Sequence, residues 1–348
     1  MRTHPRRFRR SPVRTLAVLA GALMLALTGC SGAGVPAPSN AGDLVKLRIS
    51  GPSAPGLTDP EPLGAAGYAI HNGIANEILK KYGFVYDGFA AFPNGPPAAQ
   101  ALASGSVQLS ILGDAPALLS RASGQENRAI LLTATPGGTW IAARRGGPTS
   151  IDDLAGSKIG TQFGSNFDRY VRYVLEDHGL LDKVQLVNLT GADAYAALTS
   201  GALDAYAMNS PLVASWEEKG GITVISKAEV DYPNYFSAST TLVNQSFLDQ
   251  HPKIQEAWWA VYQEGQKLID KDPNAYLAWV AGNSGVSDEI AKRVTVLVHQ
   301  NEPVTAQAIR VEEDTLQFLL DQKTAKQPFS IKDWVVPFTP TASARAGS

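Results

Sequence analysis

Cysteine is nearly absent from this sequence. Cys30 is the only one in 348 residues, so no internal disulfide and no disulfide framework is possible. Histidine is also sparse. Beyond the N-terminal segment only His71, His178, His251 and His299 occur, far apart in the chain, and they form no metal-ligand cluster. The motifs G-x-S-x-G, H-E-x-x-H and G-x-x-x-x-G-K are all missing, which leaves nucleophilic, metal-assisted and phosphate-loop chemistry without their usual carriers. Basic charge is short as well. The chain has a net charge of −2, and six of its arginines lie in the first 14 residues. Without them, 24 basic face 32 acidic residues, net −8. Such a surface does not suit nucleic acid, which selects a basic face. The longest apolar run, TLAVLAGALMLALTG, has fifteen residues, short of the roughly 20 needed to span a bilayer.

What the N-terminus does have is an ordered series of signals. MRTHPRRFRRSPVR supplies a positive region without acids, and the apolar run follows it, the grammar of a secretory signal. The run ends Leu27-Thr28-Gly29-Cys30, which resembles the lipobox of bacterial lipoproteins. That resemblance implies cleavage before Cys30 and diacylation of the cysteine. Two acyl chains anchor stably where one is marginal. The alternative is a plain signal peptide with a chance cysteine. The arginine pairs hint at twin-arginine export, but the residues after them do not complete that motif. Residues 1–29 thus read as a lipoprotein signal peptide and 30–43 as a flexible tether of Ser, Gly, Pro and Ala. Residues 336–348 read as a disordered tail.

The remaining 300 or so residues are ample for two domains, and they contain an internal repeat. Residues 99–134 and 195–228 run through the same signals. An Ala-rich helix ends in Leu-x-Ser-Gly (Leu102–Gly105; Leu198–Gly201). An apolar strand follows, VQLSI or LDAYAM. A polar loop then precedes Pro116 or Pro211, in the helix first turn that tolerates proline. The helix stops near Gly124 or Gly220, and a second strand follows, AILLT or ITVIS. Helix–strand–helix–strand is the grammar of a parallel sheet with covering helices. Two such units predict two similar α/β lobes.

Other elements carry periodic signals. LVKLRIS (44–50) reads as a strand. Ile70, Ile74 and Ile78 predict a helix over 68–82 that stops at Gly83. Phe167, Tyr170, Val171, Val174 and Leu175 mark a helix over 167–178, with Ser165 or Asn166 as N-cap and Gly179 at the C-terminal stop. A helix over 253–270 puts Ile254, Trp258, Val261, Tyr262, Leu268 and Ile269 on one face, so Trp258 and Trp259 read as core.

Three stretches together resemble the solute-binding lipoproteins of ABC importers, in the family that includes nitrate-, sulfonate-, taurine- and thiamine-precursor-binding proteins. They are ALASGSVQLSILGDAPAL, SIDDLAGSKIGTQFGSNFDRYVRYVLEDHGL and VNQSFLDQHPKIQEA. The resemblance covers residues 44–335. It implies an α/β fold of the periplasmic-binding-protein-like type II: two α/β lobes joined by two crossings. Lobe 1 is expected at 44–140 and 240–335 and lobe 2 at 141–239, with crossings near Trp140–Arg144 and Ser237–Thr241. A two-crossing hinge lets the lobes close on a solute. The implied partners are a small-molecule solute, an ABC permease with its ATPase, and the membrane through lipid on Cys30. No cofactor and no nucleic acid are expected, and the chain is expected to be a monomer. Two departures stand out. Gln108 occupies a position that is often Asp in the family, whereas the second repeat keeps Asp204. A proline-rich insertion, GPSAPGLTDPEPLG (51–64), lengthens a loop that borders the ligand in the family.

Ligands of open α/β sheets sit beyond the carboxyl ends of strands, near helix N-termini whose N–H groups favour anions. Four loops fit that position. FPNGPPA offers Asn94 and Gly95; LGDAP offers Gly113, Asp114 and Ala115; TQFGSNF offers Gly164, Ser165 and Asn166; AMNSP offers Asn209 and Ser210. Ser53 and Tyr235 complete the candidate ligand-binding set. Each also has an ordinary capping or turn role open to it. If Ser165 touches ligand, Ser165→Ala weakens binding and spares folding. Asp114, if it faces the cleft, repels a bare anion and welcomes an amine. The expected function is capture of a sulfonate, taurine, nitrate or similar solute for an importer. The alternatives are a thiamine-precursor pyrimidine as ligand, or a two-lobe lipoprotein acting as sensor or protein-interaction module. An enzyme is not expected; the related pyrimidine-synthase branch uses a cysteine-rich motif, and here the single cysteine lies in the lipobox.

Overall fold

The computed structural model describes residues 44–54 and 56–338. The signal peptide, the lipobox with Cys30, the tether and residues 339–348 lie outside the described residues.

Ten strands form two five-stranded sheets. They are β1 (Val45–Pro52), β2 (Phe84–Phe92), β3 (Leu109–Gly113), β4 (Asn127–Pro136), β5 (Thr139–Arg144), β6 (Lys158–Thr161), β7 (Gln185–Asn188), β8 (Ala205–Asn209), β9 (Ile222–Lys227) and β10 (Phe236–Asn244). The first sheet has the order β2-β1-β3-β10-β4 and the second β7-β6-β8-β5-β9. The two match strand for strand. In each, a central strand runs parallel to two neighbours, and one strand runs antiparallel between the last two.

That antiparallel strand corrects the expected parallel grammar. β3 and β4 belong to one repeat but do not touch; β10 lies between them. Likewise β5 separates β8 from β9. In both sheets the intruder is the strand that has just crossed from the other sheet. The crossings are Gly137–Gly138 between β4 and β5, and the stretch after helix Ala228–Asp231 that leads into β10. Trp140–Arg144, where the first crossing was expected, is β5 itself, because two consecutive glycines with positive φ make the turn three residues earlier.

Gln108 and Asp204 do the same structural work. The Gln108 side chain accepts from the Arg48 N–H at 2.9 Å, and Asp204 accepts from the Lys158 N–H at 2.9 Å. Each ties its repeat to the central strand of its own sheet. Asp204 also accepts from Arg144; Gln108 keeps the backbone bond and gives up the ion pair.

Helices cover both faces of both sheets. Helices Ala65–His71, Ala75–Lys80, Ile254–Lys271 and Pro273–Ser284 bury Leu47, Ile49, Trp258 and Trp259 against one face of the first sheet. Gly265 permits a close approach of two of these helices: a Cβ would stand 1.8 Å from the Ala65 carbonyl oxygen. The opposite face takes helices Gly95–Ala103, Asp114–Ala122 and Ala306–Asp321, with Trp334 beside them. Around the second sheet, helix Asn166–Asp177 covers one side and helices Gly191–Thr199 and Ser210–Lys219 the other.

Three local expectations change. The helix expected over 68–82 is two helices broken at Asn72-Gly73, where Gly73 has φ 74°. The C-terminal half does not stay on the first lobe: Ile290 of helix Asp288–Val294 packs into the second lobe's core. Arg293 of the same helix meets Glu218 at 3.5 Å. Residues 336–338, expected as part of the tail, are tied down. The Val336 N–H donates to Ala129, the Val336 carbonyl accepts from Gln255, and Phe338 stands edge-on to Trp259. Among the described residues no helix is long and apolar enough to cross a membrane.

Candidate functional site

A cavity of about 830 Å³ opens between the two sheets. Its walls come from both lobes, at the ends of β1, β3 and β8 and the helices that follow them. Seven of the expected residues line it: Ser53, Asn94, Gly95, Gly113, Ser165, Asn166 and Asn209. The other five do not. Asp114, Ala115, Gly164, Ser210 and Tyr235 lie behind or beside the wall.

Local geometry explains each. Ser165 is the N-cap of helix Asn166–Asp177: its Oγ accepts from the Asp168 N–H and donates to the Gln162 carbonyl at 2.6 Å. With its proton committed, this hydroxyl cannot donate to an anion without giving up that bond. Asn209 caps helix Ser210–Lys219 by accepting from the Leu212 N–H at 3.0 Å, and the Ser210 N–H donates to the Gly138 carbonyl. Gly95 presses on Pro116, which would lie 2.4 Å from an added Cβ. Gly164 takes a left-handed φ of 74° to start the cap and donates its N–H to Asp168.

Helix N-termini of both lobes reach the cavity, and on the first lobe the N–H groups of Ala65, Ala66 and Gly95 have no acceptor among the described residues. Helix Gly95–Ala103 begins Gly-Pro-Pro, and neither Pro96 nor Pro97 has an N–H to offer. On the second lobe, the first-turn N–H groups of Asn166, Phe167, Gly191 and Ala192 have no acceptor among the described residues, and all four residues line the cavity.

Asp114 is the main surprise. It is fully buried and forms an ion pair with Arg169, itself 8% exposed, at 2.9 Å. The carboxylate also accepts from the Ala115 N–H at 2.6 Å and the Ala238 N–H at 2.9 Å. Arg169 donates to the Phe236 carbonyl at 2.7 Å, and its guanidinium lies 4.4 Å from the centre of the Tyr235 ring. Helix Asp114–Ala122 belongs to the first lobe, helix Asn166–Asp177 to the second, and Phe236 to the returning crossing. This cluster therefore bolts the lobes at the hinge. Burial pushes the Asp114 carboxyl up, opposed by Arg169 and the two N–H donors. Burial works against the Arg169 charge too, but Asp114, Tyr235, Glu312 and Asp314 together more than offset it and the guanidinium is held more basic. Glu312, buried nearby and bonded by the Thr240 hydroxyl, is pushed up to about 8, first by burial and then by Asp114. Burial likewise raises the Tyr235 phenol.

Several lining residues escaped the sequence reading. Thr190 and Gly191 open helix Gly191–Thr199 as Asn94 and Gly95 open Gly95–Ala103. Starting the repeat a few residues earlier reveals that match. Trp258, Tyr262, Ile269 and Tyr276 line an inner chamber of the first lobe; their helical periodicity marks core, and only packing leaves one edge of the core open. The Trp258 indole donates to the Thr241 hydroxyl at 3.3 Å. The proline-rich insertion roofs this chamber with Leu57, Pro60, Pro62 and Leu63. Glu61 anchors that roof: its carboxylate accepts from His71 at 2.8 Å and Trp279 at 2.9 Å, and its backbone exchanges two hydrogen bonds with Asn283. This His–carboxylate pair lies in a neighbouring surface pocket, outside the cavity wall. Among the described residues no group of three or more His, Cys, Asp or Glu could hold a metal ion.

The NMT1/THI5-like family model matches residues 90–276. The chain belongs to the NMT1/THI5-like family. Its relatives include the putative aliphatic sulfonates-binding protein of Escherichia coli K12, 24% identical over 73% of this chain and 81% of that protein. The taurine-binding periplasmic protein of the same organism is 25% identical over 71% and 81%. Among solved structures, the alkanesulfonate-binding protein SsuA from Xanthomonas axonopodis pv. citri, bound to MOPS, aligns with a TM-score of 0.70 at 20% identity. It covers 85% of this chain and 99% of SsuA. The desulfurization enzyme DSZB shares the fold at a TM-score of 0.64 and 19% identity, over 84% of this chain and 96% of its own. The fold thus hosts both binding proteins and an enzyme.

Proposed function

We propose that this family member is the extracytoplasmic solute-binding component of an ABC importer. It captures a small solute, in the class of sulfonates, taurine or nitrate, between its lobes and delivers it to a permease. The observation that carries this reading is the cavity itself: about 830 Å³, walled by two lobes of matching topology that are joined at a hinge. Binding rather than catalysis is supported by the wall. Apart from Tyr262 and Tyr276 it carries no ionisable side chain, so the serine and threonine hydroxyls of the wall have no carboxylate, imidazole or amine beside them on it to serve as a general base. The relatives' names support the solute class.

Tethering through lipid on Cys30 belongs to the same proposal, and so does action as a monomer. A thermal-shift screen of sulfonates, taurine, nitrate and pyrimidines is expected to find a stabiliser, with small-angle scattering showing lobe closure on its addition. Silence across all of them would overturn the receptor reading. Cys30→Ala is expected to release the protein from membranes with solute affinity unchanged; retention in the membrane fraction would reject the lipid anchor.

A further inference from the structure

Both lobes bring polar groups to the cavity wall, and the large aromatic side chains of its inner chamber come from the first. The second lobe contributes Gln162, Asn166, Thr190 and Asn209 together with the unpaired N–H groups of two helices, Asn166–Asp177 and Gly191–Thr199. The first lobe contributes Ser53, Asn94, Thr133 and unpaired N–H groups at Ala65, Ala66 and Gly95, and also Phe89, Leu131, Trp258, Tyr262 and Ile269 under the roof made by Leu57 and Leu63. Two large apolar side chains on that wall are left substantially open: Leu63 is 47% exposed and Val296 45%. Open apolar side chains grouped at a concave cavity are the pattern of a ligand-binding groove.

No Asp, Glu, Lys, Arg or His lines the cavity. The carboxylate best placed by sequence to greet an amine, Asp114, is taken by Arg169 and two backbone donors. A cationic group entering this site would lose its hydration and find no counter-charge. An anionic or neutral polar end, by contrast, meets N–H donors on the second lobe. Size points the same way. A cavity of about 830 Å³ falls in the range of drug-sized ligand sites, about 300–1,000 Å³, and a two-carbon solute leaves most of the inner chamber empty.

We infer that the solute is a bulky, largely apolar molecule without a cationic group. Its polar end sits among the helix N-termini that line the cavity and its apolar body fills the first-lobe chamber. This rests on the receptor reading and narrows it, and it sets the zwitterion taurine apart from the true ligands.

Calorimetric titration of the purified protein tests it with named probes. Taurine and propane-1-sulfonate are near-isosteres that differ by an ammonium in place of a methyl; propane-1-sulfonate is expected to bind at least tenfold tighter. Along the alkanesulfonates from ethane to octane, affinity is expected to rise about fourfold per carbon, the fold-change equivalent to about 0.8 kcal/mol per buried methylene. Linear alcohols of the same lengths run alongside, so a neutral polar end shows the same rise if the head needs no charge. Leu63→Ser and Val296→Ser, at positions exposed enough to keep the fold, are expected to weaken the octyl member several-fold more than they weaken ethanesulfonate. Equal or tighter binding of taurine, or a flat chain-length series while a compact solute binds, overturns this inference and leaves the receptor reading standing. Failure of every solute, compact or bulky, overturns both.

Discussion

The cavity wall and the hinge cluster directly behind it are built on opposite principles. The wall is 830 Å³ of space edged by amides, hydroxyls and hydrocarbon, with no carboxylate and no cation. Behind it, Asp114, Arg169 and Glu312 are crowded together, none more than 8% exposed. The buried charges join the lobes, and no charged side chain lines the cavity. Buried ion pairs contribute little net stability against an apolar replacement, yet removing one partner is severe, because the other is stranded. Such a pair specifies geometry, and here the geometry is that of two lobes at a hinge.

The hardest test of that contrast is Asp114→Ala. It strands Arg169 and two N–H donors, and a loss of about 3–5 kcal/mol is expected in urea unfolding. Adding Arg169→Met is expected to recover a substantial part, since the buried charge then disappears. Equal and additive losses would show that the pair is no unit.

Next in size is the closed approach of the lobes. Gly113, on the first lobe, faces the Asn166 side chain of the second, whose Oδ1 would lie 2.0 Å from an added Cβ. Gly113→Ala is expected to weaken solute binding by about three- to tenfold, the price of turning the Asn166 amide aside, equivalent to about 0.7–1.4 kcal/mol. Gly113→Ala with Asn166→Ala is expected to restore closure as seen by scattering.

Glu312 supplies a pH test. Its folded-state value of about 8 lies above that of an exposed glutamate. The folded chain therefore holds this proton while the unfolded chain loses it, and stability falls as pH rises from roughly 4.5 towards 8. Below that window both states are protonated, and above it both are ionised. Glu312→Gln is expected to flatten the decline in Tm across this interval; an unchanged profile would assign the decline to other groups.

The smallest effect is expected at Ser165, which touches both regions. Because its hydroxyl caps a helix, Ser165→Ala is expected to cost about 0.5–2 kcal/mol of stability and to change affinity by less than about threefold. A large loss of affinity at full stability would return it to the ligand's contacts.

Much of this architecture is legible along the chain. Leu-x-Ser-Gly, strand, polar loop, proline and strand recur because each repeat folds locally, and local periodicity is written in neighbouring residues. The cap at Ser165 and the stop at Gly179 are local too, and helix Asn166–Asp177 falls within a residue of its expected bounds. The broken helix near Gly73 was harder: three isoleucines four apart keep the helical period across a glycine that nevertheless turns the chain.

The site divides along the same line. Asn94, Ser165, Asn166 and Asn209 line the cavity because the ends of strands in an open sheet converge wherever the sheets form. Asp114 does not, because its partner Arg169 lies 55 residues away and nothing in the spacing announces the pair. Trp258 and Tyr262 are written as core, and they are core on one side; that their other side borders empty space depends on where the 51–64 insertion comes to rest. By itself the sequence determined the two repeats, their helices and strands, and the loops at which a ligand site arises, since those follow from local propensity and period. The antiparallel strand in each sheet, the hinge ion pair and the uncharged chamber were decided by tertiary structure, because each depends on groups distant in sequence meeting where water is excluded.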